Sequence, residues 1–293
     1  ILKIWFIEKI GLRIFTNFMS EHLKKKVKFK MNRTDVDKIA DRLNLVLSLM
    51  NEGRDEKFTV AQFSKILELK KVGDLEKYFI NIEEPELEFL EIFSQTFAIN
   101  YEWLTEGKGH PFKCDQQIYI SIYDCLERID QIKPFIIYFV RSQSLRGETC
   151  ILLEVREHHF IVLNSYIHFS EQVGFGGSCE LVAFRKLVME LILVRKYITK
   201  GVIVSDQNFK KLYKGEIHPK VALMARKGKF EHWHDDFTDI YNQRYGYRHH
   251  GKYDKNFKDA FNIVKNNIEK KWRALIFVDH RVLYAFNKSK ALE

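Results

Sequence analysis

FTVAQFSKILELKKVGDLEKYFINIEEPELEFLEIFSQTFAINYEWL, residues 58–104, is the stretch that decides how the chain is read. Its apolar residues recur at helical spacing in short blocks broken by turns. Phe63 and Leu67 share one face of a first short helix. Val72, Leu75 and Phe79 share one face of a second, and Leu90, Phe93 and Phe97 one face of a third. Two short helices in tandem, a third behind them and a Trp103-Leu104 anchor predict a helix-turn-helix domain.

Upstream, residues 32–52 read as a preceding helix. Ile39, Leu43, Val46 and Met50 line its inward face, and Thr34 or Asp35 is placed to cap it. Asn51-Glu52-Gly53-Arg54-Asp55 is then a turn.

With these elements in place the stretch resembles the lambda-repressor-like (XRE-type) DNA-binding domain. Phe58, Thr59, Phe63 and Ser64 match the start and scaffold of the family's second helix, and Leu67 and Leu69 its end. Val72 and Leu75 match the inward face of the recognition helix. Pro85, Leu87, Leu90, Phe93 and Phe97 match the fourth helix. Asn100, Trp103, Leu104, Gly107, Gly109 and Phe112 resemble the ending common in phage-repressor relatives. The connection between the first two helices is longer than the family uses, and Val60 stands where the family often has a phosphate-binding Gln.

The resemblance implies an all-α DNA-binding domain over residues 31–113. Lys70 and Lys71 would contact phosphates, and Lys77 a phosphate or a guanine. Gly73, Asp74 and Glu76 would face outward on the reading helix. One short helix reads too few base pairs for specificity, so a homodimer on double-stranded DNA is expected.

Charge complicates this picture. Residues 31–113 carry eleven Lys/Arg against sixteen Asp/Glu, and residues 200–293 twenty against eleven, within a net charge of +9. The expected reader is acidic, whereas phosphate attraction needs cations near the duplex. Glu83, Glu84, Glu86, Glu88 and Glu91 crowd the start of the fourth helix, where acids suit the helix dipole.

Residues 1–30 mix apolar and basic residues, with eight Lys/Arg against two acids. They read as an extension ahead of a start at Met31 or Met19, or as an amphipathic surface helix. Glu8, Lys9 and Arg13 interrupt the apolar run, against a signal peptide. Ala291-Leu292-Glu293 reads as an appended tail. Four scattered cysteines (Cys114, Cys125, Cys150, Cys179) without a CxxC pair fit reduced thiols in a cytoplasm. No apolar run reaches membrane-span length, so no membrane partner is expected.

Residues 118–290 read as an α+β domain. A helix over 118–131, with Ile122, Cys125, Leu126 and Ile129 inward, precedes strands at 135–141, 149–155 and 159–166 in a small antiparallel sheet. Gly174, Gly176, Gly177 and Ser178 lie in a glycine-rich loop before an apolar helix over 180–197. Such a loop either binds an anion through backbone N–H groups or turns closely over the sheet. Helices resume from Ser205, with Asp206 and Asp254 as candidate caps. Residues 275–278 and 282–286, around Asp279-His280, read as a closing hairpin.

His232, His234, Asp235 and Asp236 are metal-ligand types. On a helix, His232 shares a face with Asp235 or Asp236 while His234 lies off it. A full site would recruit His249, His250 or Asp254. The competing reading is a polar helix face beside buried Trp233 and Phe237. No catalytic signature appears, and no cofactor is implied. Cys179, near a helix N-terminus, reads either as a thiol with a lowered pKa or as a buried structural one. Residues 200–273 interleave Lys210, Lys211, Tyr213, Lys214, Arg226, Lys227, Lys229, Arg244, Tyr245, Tyr247, Arg248, Lys252 and Tyr253. This is either a phosphate-and-stacking surface or ordinary helix solvation.

The chain is therefore expected to be a DNA-binding transcriptional regulator, with dimerisation or sensing of a small-molecule effector in its C-terminal half. A nucleic-acid-processing enzyme built around HWHDD, or a protein-interaction module, are the alternatives.

Overall fold

The computed structural model describes residues 35–115, 122–169, 175–224, 232–238 and 253–272. Two compact units divide the chain: Ile1–Leu47 with Thr59–Glu86, and Ser48–Phe58 with Leu87–Glu293. The division falls inside the stretch 31–113. The expected extension 1–30, the Thr34 cap and the hairpin near residue 280 lie outside the described residues.

The first unit is helical. α1 (Asp35–Asn51) buries Ile39, Leu43 and Val46, as its 3.6-residue spacing requires. Thr59 opens α2 (Val60–Ile66) with a capping box. Its hydroxyl accepts from Gln62 N–H at 3.2 Å, and the Gln62 side chain accepts from Thr59 N–H at 2.8 Å. α3 (Gly73–Phe79) buries Leu75, Tyr78 and Phe79, and Phe79 meets Phe63 of α2 at 6.3 Å between centroids. Asn44 of α1 donates to the Phe79 carbonyl at 2.7 Å, closing the end of α3. Val72 departs from expectation. It caps the helix with helical backbone angles and accepts from Glu76 N–H at 3.1 Å, yet it is 39% exposed.

The second unit is a mixed sheet between two helical layers. Strands β1 (Cys114–Asp115), β2 (Ile136–Ser142), β3 (Glu148–Arg156), β4 (His159–His168) and β5 (Thr199–Val204) lie in the order β1-β4-β3-β2-β5. β2, β3 and β4 form the expected antiparallel meander, but β1 runs parallel to β4 and β5 parallel to β2. The sheet is therefore mixed, not antiparallel. The strand that changes it, β5, is short and carries Lys200 and Gly201, so it hides behind the preceding apolar helix. Every residue of β2 is buried, as expected of a strand covered on both faces.

On one face Ile137, Phe139, Ile151, Leu153 and Leu163 pack against α6 (Ile122–Ile132), α7 (Phe175–Met189), α10 (Trp233–Thr238) and α11 (Lys255–Trp272). Inward residues of α6 include Cys125, Leu126 and Ile129, as its spacing predicts. On the other face Tyr138, Val140, Leu152, Val162 and Val202 pack against α8 (Asp206–Lys214) and α9 (Pro219–Met224). α4 (Leu87–Thr96) and α5 (Tyr101–Glu106) belong to this unit. Phe97 lies on the His158 ring at 5.4 Å, and His159 Nδ1 is 3.1 Å from the Thr96 carbonyl. α5 is capped by Asn100 and ends at Gly107 in the left-handed region, with Trp103 and Leu104 buried.

Two caps separate the expected from the found. Asp254 does cap α11, accepting from Phe257 N–H at 2.8 Å. α8 is capped by Ser205, which accepts from Asn208 N–H at 3.2 Å, while Asp206 lies inside the helix and pairs with Lys210. α7 continues into a π-helical turn, Glu190–Val194, where Arg195 N–H reaches Glu190 O at 2.9 Å. No helix among the described residues is long and apolar enough to cross a membrane.

Candidate functional site

The outward face of α2 and α3 is the first candidate. Lys70, Lys71, Gly73, Asp74 and Glu76 are all exposed, on the side opposite Leu75, Tyr78 and Phe79. A side chain built at Gly73 would meet nothing within 4 Å, so the backbone there is open to close approach. Lys77 is half-buried and already engaged: its Nζ donates to Glu83 at 2.8 Å and lies 5.0 Å from the Tyr78 ring centre. The expected contacts thus sort into two uncommitted lysines at the turn and one committed lysine on the helix. Glu83, Glu84, Glu86, Glu88 and Glu91 are exposed, as a solvated acidic cluster should be.

The HWHDD segment forms α10 and is spent on structure. Trp233 and Phe237 are fully buried. Asp235 gathers both histidines: His232 Nδ1 lies 3.1 Å from one carboxyl oxygen and His234 Nε2 2.6 Å from the other. His234 points away from the exposed side of His232. It is buried against Phe139 and sits 3.0 Å from Thr199 Oγ1. Asp236 accepts from Tyr253 Oη. Among the described residues no group of three His, Cys, Asp or Glu is arranged to hold a metal ion.

The glycine-rich loop is also different from expectation. Gly176, Gly177 and Ser178 fall inside the first turns of α7, because the helix begins at Phe175 rather than near Glu180. Gly174 lies outside the described residues. Cys179 is exposed on this helix, not buried. Of the basic–aromatic series, Lys210 pairs with Asp206 at 2.7 Å, Lys214 with Glu216 at 3.7 Å, and Tyr213 stacks on Phe209 at 5.9 Å. These members read as helix solvation over a packed core. His249, His250 and the members at 226–229 and 244–252 lie outside the described residues.

Two buried arginines went unread in the sequence. Arg141 of β2 has a side chain 2% exposed, lying between Phe169 and Phe257 at 5.8 Å from each centroid. Its Nη2 donates to both oxygens of Asp254, at 2.9 and 2.8 Å. Burial pushes the Asp254 carboxyl up, but the bonds from Arg141 and Phe257 N–H outweigh it and hold it below the usual range. Arg54, in the loop after α1, turns a side chain only 7% exposed inward onto the Phe58 ring, 4.6 Å from its centre. Its Nε and Nη2 are buried with no hydrogen-bond partner. A guanidinium cannot shed its proton, and each buried N–H without an acceptor costs about 1–3 kcal/mol. No periodicity marks such a residue: Arg54 sits in a polar turn that reads as surface.

Beside Arg54 lies His218, 1% exposed, with Phe112 and Phe160 edge-on at 5.2 and 5.5 Å. Burial, then the charges of Arg54 and Lys220, push its imidazole down to about 3. His158 is lowered as well, by burial first and then by His159 and Arg156. A base with a depressed folded-state pKa takes up its proton first in the unfolded chain. Its contribution is therefore full above pH ~6.5 and is lost as pH falls toward about 3. At pH ~5 the loss from His218 alone is expected to be about 2 kcal/mol. Urea unfolding at neutral pH and at pH ~5 measures it. A His218→Gln chain with the same pH dependence as the parent would remove His218 as the cause.

Comparison with family models, with curated proteins and with solved structures finds no match to this chain.

Proposed function

We propose that the helical unit of α1–α3 reads double-stranded DNA and that the chain acts as a transcriptional regulator. The observation that carries the reading is the outward face of α3. Gly73, Asp74 and Glu76 stand exposed behind two lysines that make no ion pair among the described residues, while the opposite face is buried. Lys70 and Lys71 take phosphates. Asp74 and Glu76 suit cytosine amino groups in the major groove, where carboxylates are the fitting acceptors. Gly73 lets the backbone approach. A second copy supplies the second half-site.

The test uses the full chain and its salt-dependent affinity for DNA. Each neutralised phosphate contributes about −0.9 to the log–log slope, so Lys70→Ala with Lys71→Ala should make the slope shallower by about 1.8. Lys77→Ala should change it less, because Glu83 already holds that ammonium. Equal slopes for parent and double variant would remove these lysines from the interface. Binding to a basic polypeptide with no binding to DNA would favour the other reading of the exposed glutamates, a protein-interaction module.

A further inference from the structure

We propose that the Nε–H and Nη2–H edge of Arg54 is a binding fork for a tetrahedral oxyanion, a phosphoryl group, held between the loop that follows α1 and the His218 ring. This does not rest on DNA reading by α3. The two unpartnered donors of Arg54 are adjacent and parallel on one edge of the guanidinium, the arrangement that accepts two oxygens of one phosphate. Arg141, by contrast, leaves Nε and Nη1 unpartnered, but its Nη2 holds both oxygens of Asp254, so that charge is already balanced.

The fork is set in place before any ligand arrives. The Phe58 ring supports the guanidinium plane. Asn51 closes the base of the loop, its Nδ2 donating to Phe58 O at 2.8 Å and its Oδ1 accepting from Phe58 N–H at 2.6 Å. Glu157, 72% exposed, lies 4.0 Å from Nη1, at the other end of the guanidinium, and leaves the buried Nε and Nη2 unpaired. His218 is already satisfied, since Nδ1 accepts from Lys220 N–H at 3.2 Å and the ring bonds the His158 backbone. It therefore forms a neutral wall. His158 brings a second buried polar atom without a partner, Nε2, to the same region. Gly53, with φ +68° and nothing within 4 Å of a would-be Cβ, turns the loop through the left-handed region without crowding the guanidinium.

The test is calorimetric titration and thermal melting of the full chain with inorganic phosphate, against chloride of equal ionic strength. Phosphate is expected to bind the parent and raise its melting temperature. Arg54→Lys keeps the charge and loses the fork, and should weaken phosphate binding by about tenfold or more. Glu157→Gln, a surface change, should bind phosphate more tightly than the parent. Without phosphate, Arg54→Met should melt at or above the parent, because it removes an unpaired buried charge. A lower melting temperature there would mark Arg54 as structural and overturn the proposal. So would a phosphate response absent in the parent or unchanged in Arg54→Lys. A nucleoside monophosphate and duplex DNA form two further arms. Tighter binding of the monophosphate identifies a phosphorylated effector, and Arg54-dependent binding of the duplex alone overturns the small-anion assignment.

Discussion

Trp233→Ala should cost the sheet unit about 3–5 kcal/mol, the range for truncating a buried aromatic. Trp233 is fully buried, stacked parallel on Phe184 at 5.8 Å and edge-on to Phe169 at 5.1 Å. Its Nε1–H donates to the Phe139 carbonyl at 3.2 Å, so truncation leaves a cavity and also strips a partner from β2. Trp233→Phe should recover most of the packing and lose about 1–2 kcal/mol. Urea unfolding followed by circular dichroism separates the three chains. A Trp233→Ala loss below about 1 kcal/mol would show that α10 is not integral to the core.

Gly215→Ala is expected to cost about 2–4 kcal/mol. Gly215 ends α8 with φ +76°, where an L side chain costs about 1 kcal/mol. Its Cβ would also stand 2.3 Å from the Phe112 carbonyl oxygen, too close for both backbones to keep their places. The two segments are bonded there, Phe112 N–H donating to Gly215 O at 3.0 Å. Relieving such a collision adds about 1–3 kcal/mol. Gly53→Ala is the control: φ is +68° but nothing lies within 4 Å, so only the dihedral cost applies. Equal losses at the two positions would refute the collision.

Local sequence signals made α1, the meander β2–β4 and the Asp254 cap legible. Each depends on residues adjacent in sequence or spaced by one helical or strand period. Features set by distant partners were not legible. β5 pairs with β2 across sixty residues of chain, roughly, and its Lys200 and Gly201 dilute a strand signal of only six residues. Val72 matched apolar spacing yet lies exposed, since spacing names a face and not what covers it. His234 looked like a candidate ligand, and its burial against Phe139, with Nε2 2.6 Å from Asp235, depends on strands distant in sequence. The α3 face was read correctly as outward, except that the pairing of Lys77 with Glu83 depends on how the chain turns after the helix.

The division of the chain gives it an order in time. From the N-terminus the polypeptide contributes to one unit, then through Ser48–Phe58 to the other, returns at Thr59, and leaves again at Leu87. Three crossings mean that no single cut frees either unit as a continuous piece, and a cassette exchange at any one junction carries a fragment of the wrong partner. On the ribosome, the segment bearing Arg54 emerges long before His158 and His218, so its loop waits unsupported until most of the chain has been made. Closing contacts of such wide sequence separation is slow, which makes the last-made strands and helices, rather than the helices made first, the step that completes the protein.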